Sequence, residues 1–227
     1  EVVITQKGGD WFDGGIWLRT HDHEYLPNEE PVNNAWNFLY GGVANCNRLI
    51  AQLSDIKEQG TLSPELSDAF VAELQALRAL YYYWLLDAFG NVPIVTGFAD
   101  APANPETRPR TEVFNFVEDE LLAAAELLPR DNSIATYGRM NYYAVQALLA
   151  KLYLNAEVYI GENRYADAVA ACDEIINSGL FALSADYHAN FAPTNGPGNS
   201  EMILAIPYDP EFGQGFNLVQ MTLHYQS

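Results

Sequence analysis

The chain has 227 residues, 49% of them hydrophobic and 13% aromatic, which is enough to bury a sizeable core and too apolar for a disordered segment. Eleven basic against 30 acidic side chains leave a formal charge of −19, which repels phosphate backbones and anionic lipid and so argues against nucleic-acid binding. A neutral ligand such as a sugar, or a cationic partner, suits that surface better, and no run approaches the roughly 20 apolar residues of a membrane span.

Residues 1–35 are rich in turn formers. Gly8-Gly9-Asp10-Trp11 and Asp13-Gly14-Gly15 precede Trp17, Arg19, His21, His23 and Tyr25, and Pro27 and Pro31 favour extended backbone. The stretch is expected to be a long ordered loop. From Asn34, a capping residue, Trp36, Leu39, Tyr40, Val43, Asn47, Ile50 and Leu53 mark one face of a helix. Asn47 is polar on that apolar face and needs a hydrogen bond if it is buried.

The next helix, from Glu65, is the most strongly patterned. Ser63-Pro64 starts it, Gly90 stops it and Pro93 prevents continuation. Phe70, Leu74, Leu77, Tyr81, Trp84, Leu85 and Ala88 recur at helical spacing, and Tyr81-Tyr82-Tyr83-Trp84 cannot all face water. This helix is expected to be packed on more than one side, with Trp84 in its packing centre.

A proline-rich loop follows, with Pro102, Pro105 and Pro109, and Thr111 then caps a helix reaching Leu128, with Val113, Phe114, Val117, Leu121, Leu122 and Leu128 inward. A helix from about Asn141 to Ile160 turns Val145, Leu148, Leu149, Leu152, Ala156 and Tyr159 inward. Asn163 caps the next, whose core side is Tyr165, Ala168, Cys172 and Ile175 and which Gly179 ends. Beyond a turn-rich loop, Met202–Tyr208 reads as an isolated strand or extended segment. The two cysteines, Cys46 and Cys172, read as small buried hydrophobes rather than as a disulfide.

Two helix pairs share a spacing. Ala79 with Tyr82, Ala124 before Pro129, and Ala168 with Cys172 fall where tetratricopeptide hairpins place their small and large inward residues. Stacked hairpins of this kind build curved scaffolds rather than reaction centres.

Candidate chemistry lies in the first segment. In an extended stretch His21 and His23 would point the same way, but no third ligand has a recognisable metal spacing, and no metal site is assigned. Asp10, Asp13, Asp22 and Glu24 could in principle pair as the carboxylates of a glycoside hydrolase, though acidic loops are more often simply solvated. There is no Gly-x-Ser-x-Gly elbow, phosphate loop or dinucleotide fingerprint. Trp11 and Trp17, beside Gly, Asp and Arg, suit a sugar: the C–H face packs on a ring and polar neighbours take the hydroxyls. Trp36, on a helical face, reads as a packing residue. The ligand-binding candidates are Asp10, Trp11, Trp17 and Arg19, chosen on chemistry alone.

Arg78-Ala79, Tyr81-Tyr82, Leu85, Phe89-Gly90 and Val92-Pro93 form a pattern that resembles the signature of the SusD/RagB family of outer-membrane nutrient-binding lipoproteins of Bacteroidota. Trp36-Asn37, Tyr40 and Asn47 resemble the family's preceding helix, and Gly138-Arg139 and Asn199-Ser200-Glu201-Met202-Ile203 resemble later segments in the expected order. The resemblance implies a mainly α fold of tetratricopeptide-like hairpins with long loops and little strand. It divides the chain into the loop segment 1–35, hairpins over 36–180, and a loop and short-strand region over 181–227. It further implies no catalysis, no cofactor, and capture of glycans or other nutrients at the cell surface for a SusC-like TonB-dependent transporter. A structural calcium among the acidic loops is left open. The rival readings are an all-α glycoside hydrolase and a pure protein-interaction scaffold. Family members are about twice as long and carry a lipidated N-terminal cysteine. This chain opens on Glu1 and stops at Ser227 without a helix stop or a polar tail, as a segment cut from a longer polypeptide would, so any lipid anchor is expected outside it.

Overall fold

A computed structural model describes residues 12–192, 194–208 and 211. A 3-10 turn at Asp13–Gly15 leads into α1 (Ile16–His21), followed by α2 (Glu30–Glu58), α3 (Pro64–Phe89), α4 (Arg110–Ala125), α5 (Tyr142–Leu154), α6 (Ala156–Ile160) and α7 (Tyr165–Asn177). Strand among the described residues is confined to one antiparallel pair, β1 (Val92–Pro93) against β2 (Thr107–Arg108), with Val92 opposite Arg108. The fold is the expected stack of helical hairpins: α2 packs on α3, α3 on α4, α4 on α5 and α6, and α5 on α7. No helix among the described residues is long and apolar enough to cross a membrane.

The helix starts show where local chemistry decides. Ser63 Oγ accepts from Leu66 N–H at the head of α3, Pro64 occupies the first turn, and Gly90 ends the helix with φ of 72°. Other boundaries differ from expectation. Segment 1–35 is not a continuous loop: α1 lies within it, and α2 starts at Glu30, before Asn34, because Pro31 sits in the first turn, where its missing N–H costs nothing. Helix α4 starts at Arg110, whose N–H is accepted by Asn91 Oδ1 rather than capped by Thr111, and ends at Ala125. The expected Asn141–Ile160 helix is two, α5 and α6, divided at Asn155. Asn141 does cap α5, accepting from Ala144 N–H at 2.9 Å. Described residues of the last region contain a 3-10 turn, Tyr187–Phe191, and no regular secondary structure at 202–208, where a strand or extended segment was expected.

The core runs along the contacts of α2, α3, α4 and α5. Ala72, Ala76 and Ala79 are fully buried, and these small side chains let the neighbouring helices approach α3 closely. Ala79, Tyr82, Ala124 and Ala168 are buried as the hairpin spacing requires. Cys172 and Tyr165 are exposed instead, and Ala171 and Ile175 take the inward side of α7 with Ala168. Leu122 is likewise exposed, half a turn away from the buried stripe of Val113, Val117 and Leu121. Both cysteines are free, Cys46 buried and Cys172 not.

The largest correction concerns α3. Its buried apolar residues are Tyr82, Leu85 and Leu86 with Ala72, Ala76 and Ala79, whereas Phe70, Leu74, Leu77, Tyr81 and Trp84 are only partly buried, and Ala88 is exposed. Of the apolar stripe read from the sequence only Leu85 faces the core, and Phe70, Leu74, Leu77, Tyr81 and Trp84 form a second face beside it. A helix with two apolar faces shows only a weak amphipathic bias, so spacing alone cannot rank them.

Replacing Tyr82 with Ala is expected to cost about 3–5 kcal/mol in urea unfolding through the cavity left behind. Replacing Trp84 with Ala is expected to cost less than half as much, because that side chain is already partly in water. Equal losses would contradict this assignment of the core.

Candidate functional site

The residues with binding chemistry and the residues that hold the scaffold occupy different places. The first group gathers on the turn before α1. Asp13-Gly14-Gly15 takes three successive positive φ values, 44°, 65° and 84°, a conformation that glycine supplies at little cost. Gly15 is buried, and a Cβ there would approach Arg19 Nη1 to 3.0 Å. The turn is tied down by side chains. Trp17 Nε1–H donates to Asp13 Oδ2 at 2.6 Å, and Arg19 Nη1–H donates to Gly14 O at 3.0 Å. Arg19 also pairs with Glu29 at 2.5 Å, which joins α1 to the start of α2.

Structure thus brings together two of the four predicted residues, Trp17 and Arg19, with Asp13 as a third. Asp10 and Trp11 lie outside the described residues. Arg19 is committed to the turn and to Glu29, so its role is to hold the turn in shape. Trp17 has already given its N–H to Asp13, which leaves the partly exposed ring face as its free surface. Such a face, fixed by a hydrogen bond at its edge, can stack on an apolar plane without losing much side-chain freedom. Glu29 Oε2 is buried and unpartnered while Oε1 carries the ion pair. His21 closes α1 and His23 has φ of 59°, so the two histidines do not stand side by side on extended backbone. Among the described residues no three His, Cys, Asp or Glu side chains are placed to hold a metal ion.

The second group lies at the core. Arg78, on α3, is buried and makes a bidentate pair with Glu120 of α4, Nε to Oε2 at 2.8 Å and Nη2 to Oε1 at 2.9 Å. Its Nη1 donates to Asn47 Oδ1 of α2 at 2.7 Å, and Asn47 Nδ2 in turn donates to Val95 O and Gly97 O. Tyr82 hydroxyl accepts from Val95 N–H at 2.7 Å, and Tyr40 hydroxyl donates to Pro93 O at 2.7 Å. Two helices, α2 and α3, therefore grip the segment 93–97 through its backbone. Burial pushes the Glu120 carboxyl above its ordinary value while Arg78 pulls it back, and burial pushes the Tyr82 phenol up to about 12. Trp36 packs against Tyr40 and edge-on against Phe89, with ring centroids 4.7 and 5.1 Å apart, and is a packing residue as expected.

Sequence reasoning found Asn47 and Arg78 but missed Glu120 and Glu29. Glu120 left one signal: it sits one turn from Phe116 and beside Leu121, a carboxylate interrupting an apolar stripe. Glu29 left none.

Loop 184–201 carries exposed Tyr187 and Phe191, with ring centroids 5.1 Å apart, next to a group of amides. These amides satisfy each other. Asn190 Nδ2 donates to Glu201, Asn199 Nδ2 donates to the side-chain oxygens of Asn190 and Asn195, and Asn195 Nδ2 donates to Asn190 O. The cluster clamps its own loop rather than offering donors to a ligand.

A family described as SusD-like, starch-binding and associating with the outer membrane matches residues 6–154, which include the Trp17 turn, Asn47, Arg78 and Glu120. This chain belongs to the SusD-like family. The starch-binding protein SusD of Bacteroides thetaiotaomicron is 34% identical over 143 residues, 61% of this chain and 25% of that protein. A SusD-superfamily structure from Parabacteroides distasonis superposes with a TM-score of 0.67 at 29% identity, covering 76% of this chain and 37% of the other. A laminarin-binding SusD-like protein superposes with a TM-score of 0.74 at 27% identity, over 87% of this chain and 42% of that one. The chain thus spans about a quarter to a third of the length of the curated relatives it matches. The mainly helical SusD-like fold expected from the sequence is the fold found.

Removing Arg78 leaves Glu120 buried without its partner. Arg78→Ala is expected to lose about 3–5 kcal/mol in urea unfolding, while Arg139→Ala, which breaks an exposed pair with Glu73, loses under about 1 kcal/mol. A loss at Arg78 no larger than at Arg139 would contradict the central role of the buried pair.

Proposed function

We propose that this chain is part of a non-catalytic glycan-binding protein of the bacterial cell surface, held at the outer membrane by a lipid anchor outside this sequence. The captured glycan passes to a SusC-like TonB-dependent transporter. The observation that carries this reading is the family match over residues 6–154, because that family is described as starch-binding and outer-membrane associated. Relatives named for starch and laminarin agree in ligand class while differing in the glycan. The geometry adds a division of labour. The helices spend their polar groups inward, on the segment 93–97, whereas the turn at residues 12–21 presents an aromatic ring fixed by Asp13. Ring stacking with hydroxyl hydrogen bonds in a shallow site supports micromolar-range affinity and needs no reacting group. Trp17 provides the stacking face and Arg19 holds the turn, while Asp10 and Trp11 stay binding candidates on sequence chemistry alone.

Calorimetric titration of the full chain with malto-, laminari- and xyloglucan-derived oligosaccharides tests this. At least one class is expected to bind without release of reducing sugar. Trp17→Ala is expected to weaken that binding by about tenfold or more, an effect of about 1.4 kcal/mol, with an unchanged melting temperature. Binding that survives Trp17→Ala would move the site elsewhere. Absence of binding across the panel, or sugar release abolished by Asp→Asn changes, would overturn the function.

A further inference from the structure

Between α1 and α2 every residue from Asp22 to Asn28 is exposed, and Glu29 alone turns inward, its side chain 6% exposed. An inward residue in such a connection is expected to be apolar, because a carboxylate loses its hydration there. Glu29 does not recover that loss by capping. It stands at the N-cap of α2, yet its side chain makes no hydrogen bond to the helix end. Only its backbone serves the helix, the carbonyl accepting from Asn33 N–H at 3.0 Å. The carboxylate faces back to α1 instead, Oε1 accepting from Arg19 Nε–H while Oε2 is buried without a donor. A half-satisfied buried carboxylate lowers stability, so the reason for it lies in what it holds.

What it holds is the Trp17 turn. Helix α1 has six residues, too few to be stable on its own hydrogen bonds. Among the described residues it contributes nothing to the core or to the apolar side chains packed against the core. Its place therefore follows from whatever ties it down. Arg19 lies across Gly15, where a Cβ would meet Nη1 at 3.0 Å, and the same Nη1 donates to Gly14 O. Asp13, at the head of that turn, accepts the Trp17 Nε1–H. One line of contacts thus runs from α2 to the ring, through Glu29, Arg19, Gly14, Asp13 and Trp17. Among the described residues no other side-chain hydrogen bond or ion pair joins residues 12–21 to α2 or to a later helix.

We infer that Glu29 is a positioning residue: through Arg19 it sets where the Trp17 ring stands relative to the helical frame. The buried carboxylate is the fixed end of the link, and the half-exposed guanidinium is the arm that carries its position to the turn. The consequence for ligand affinity rests on the reading of Trp17 as a glycan-stacking face, whereas the positioning itself is a property of the free protein and is measured without ligand.

Fluorine NMR of the full chain labelled with fluorotryptophan reads the ring directly, with Trp17→Phe assigning its resonance. Glu29→Leu removes the link and suits a buried position, so helical circular dichroism and melting temperature are expected to be unchanged or slightly raised. The Trp17 resonance is expected to move toward its position in urea, with those of Trp36 and Trp84 in place. A Trp17 resonance indifferent to Glu29→Leu would overturn the inference, and so would equal movement of Trp36 and Trp84, which would make Glu29 a support of the whole frame. Arg19→Gln cuts the same link from its more exposed end, is expected to displace the same resonance, and decides the matter if Glu29→Leu does not fold. With an oligosaccharide selected by titration, Glu29→Leu is expected to weaken binding severalfold and to add nothing further in a Trp17→Ala background. Additive losses would give Glu29 a role of its own and overturn the inference. A displaced ring with unchanged affinity would uphold the positioning and remove Trp17 from the glycan site.

Discussion

Arg78 and Glu120 form the interaction on which the described structure turns. Two opposite charges, 5% and 12% exposed at their side chains, face each other across α3 and α4, and Asn47 extends the contact to α2. Burying such a pair is costly unless nearly every donor and acceptor is used, and here the fork of the guanidinium meets both carboxylate oxygens and the Asn47 carbonyl. The gain lies less in net stability than in register. A one-turn slip of α3 or α4 would leave a charge buried alone, and a slip of α2 would take the Asn47 acceptor from Arg78 Nη1, so the network fixes how α2, α3 and α4 sit together. Asn47, Tyr40 and Tyr82 carry that register to the backbone of residues 93–97.

The residues that resemble the family signature thus belong mostly to this frame. Arg78, Tyr82, Val92 and Pro93 are spent on the scaffold and the segment 93–97, Tyr81 on the crossing over Gly42, and Gly90 on stopping α3. They identify the fold through packing and hydrogen bonds. The one aromatic of the binding candidates within the described residues, Trp17, sits on a short helix held by local hydrogen bonds and a single pair to Glu29. A turn anchored locally can change its residues without disturbing the buried pair.

What was legible in the sequence follows from how local each signal is. Ser63-Pro64 and Gly90 bracket α3 because caps act within a turn, and Asn47 announced a buried hydrogen bond by standing on an apolar face. Pro31 misled because proline is tolerated in a first helical turn as readily as in a loop. Trp84 misled because α3 has two apolar faces, and only the packing of α2, α4 and α5 decides which one is the core. Glu120 and Glu29 were out of reach in a different way. Their meaning lies in partners 42 and 10 residues away, and neither separation follows a helical or strand period. For the candidate site, Trp17 and Arg19 were legible as chemistry, but the commitment of Arg19 to Gly14 and Glu29 was visible only in three dimensions.

Separation of frame from binding surface is the central claim. It is tested most directly by peptide-resolved hydrogen exchange on the full chain, with and without a saturating oligosaccharide selected by titration. Ligand is expected to slow exchange in the segment around Trp17 and Arg19 and to leave Ala76–Gly97 unchanged. Protection centred on α3 and the segment 93–97, with none around Trp17, would contradict it.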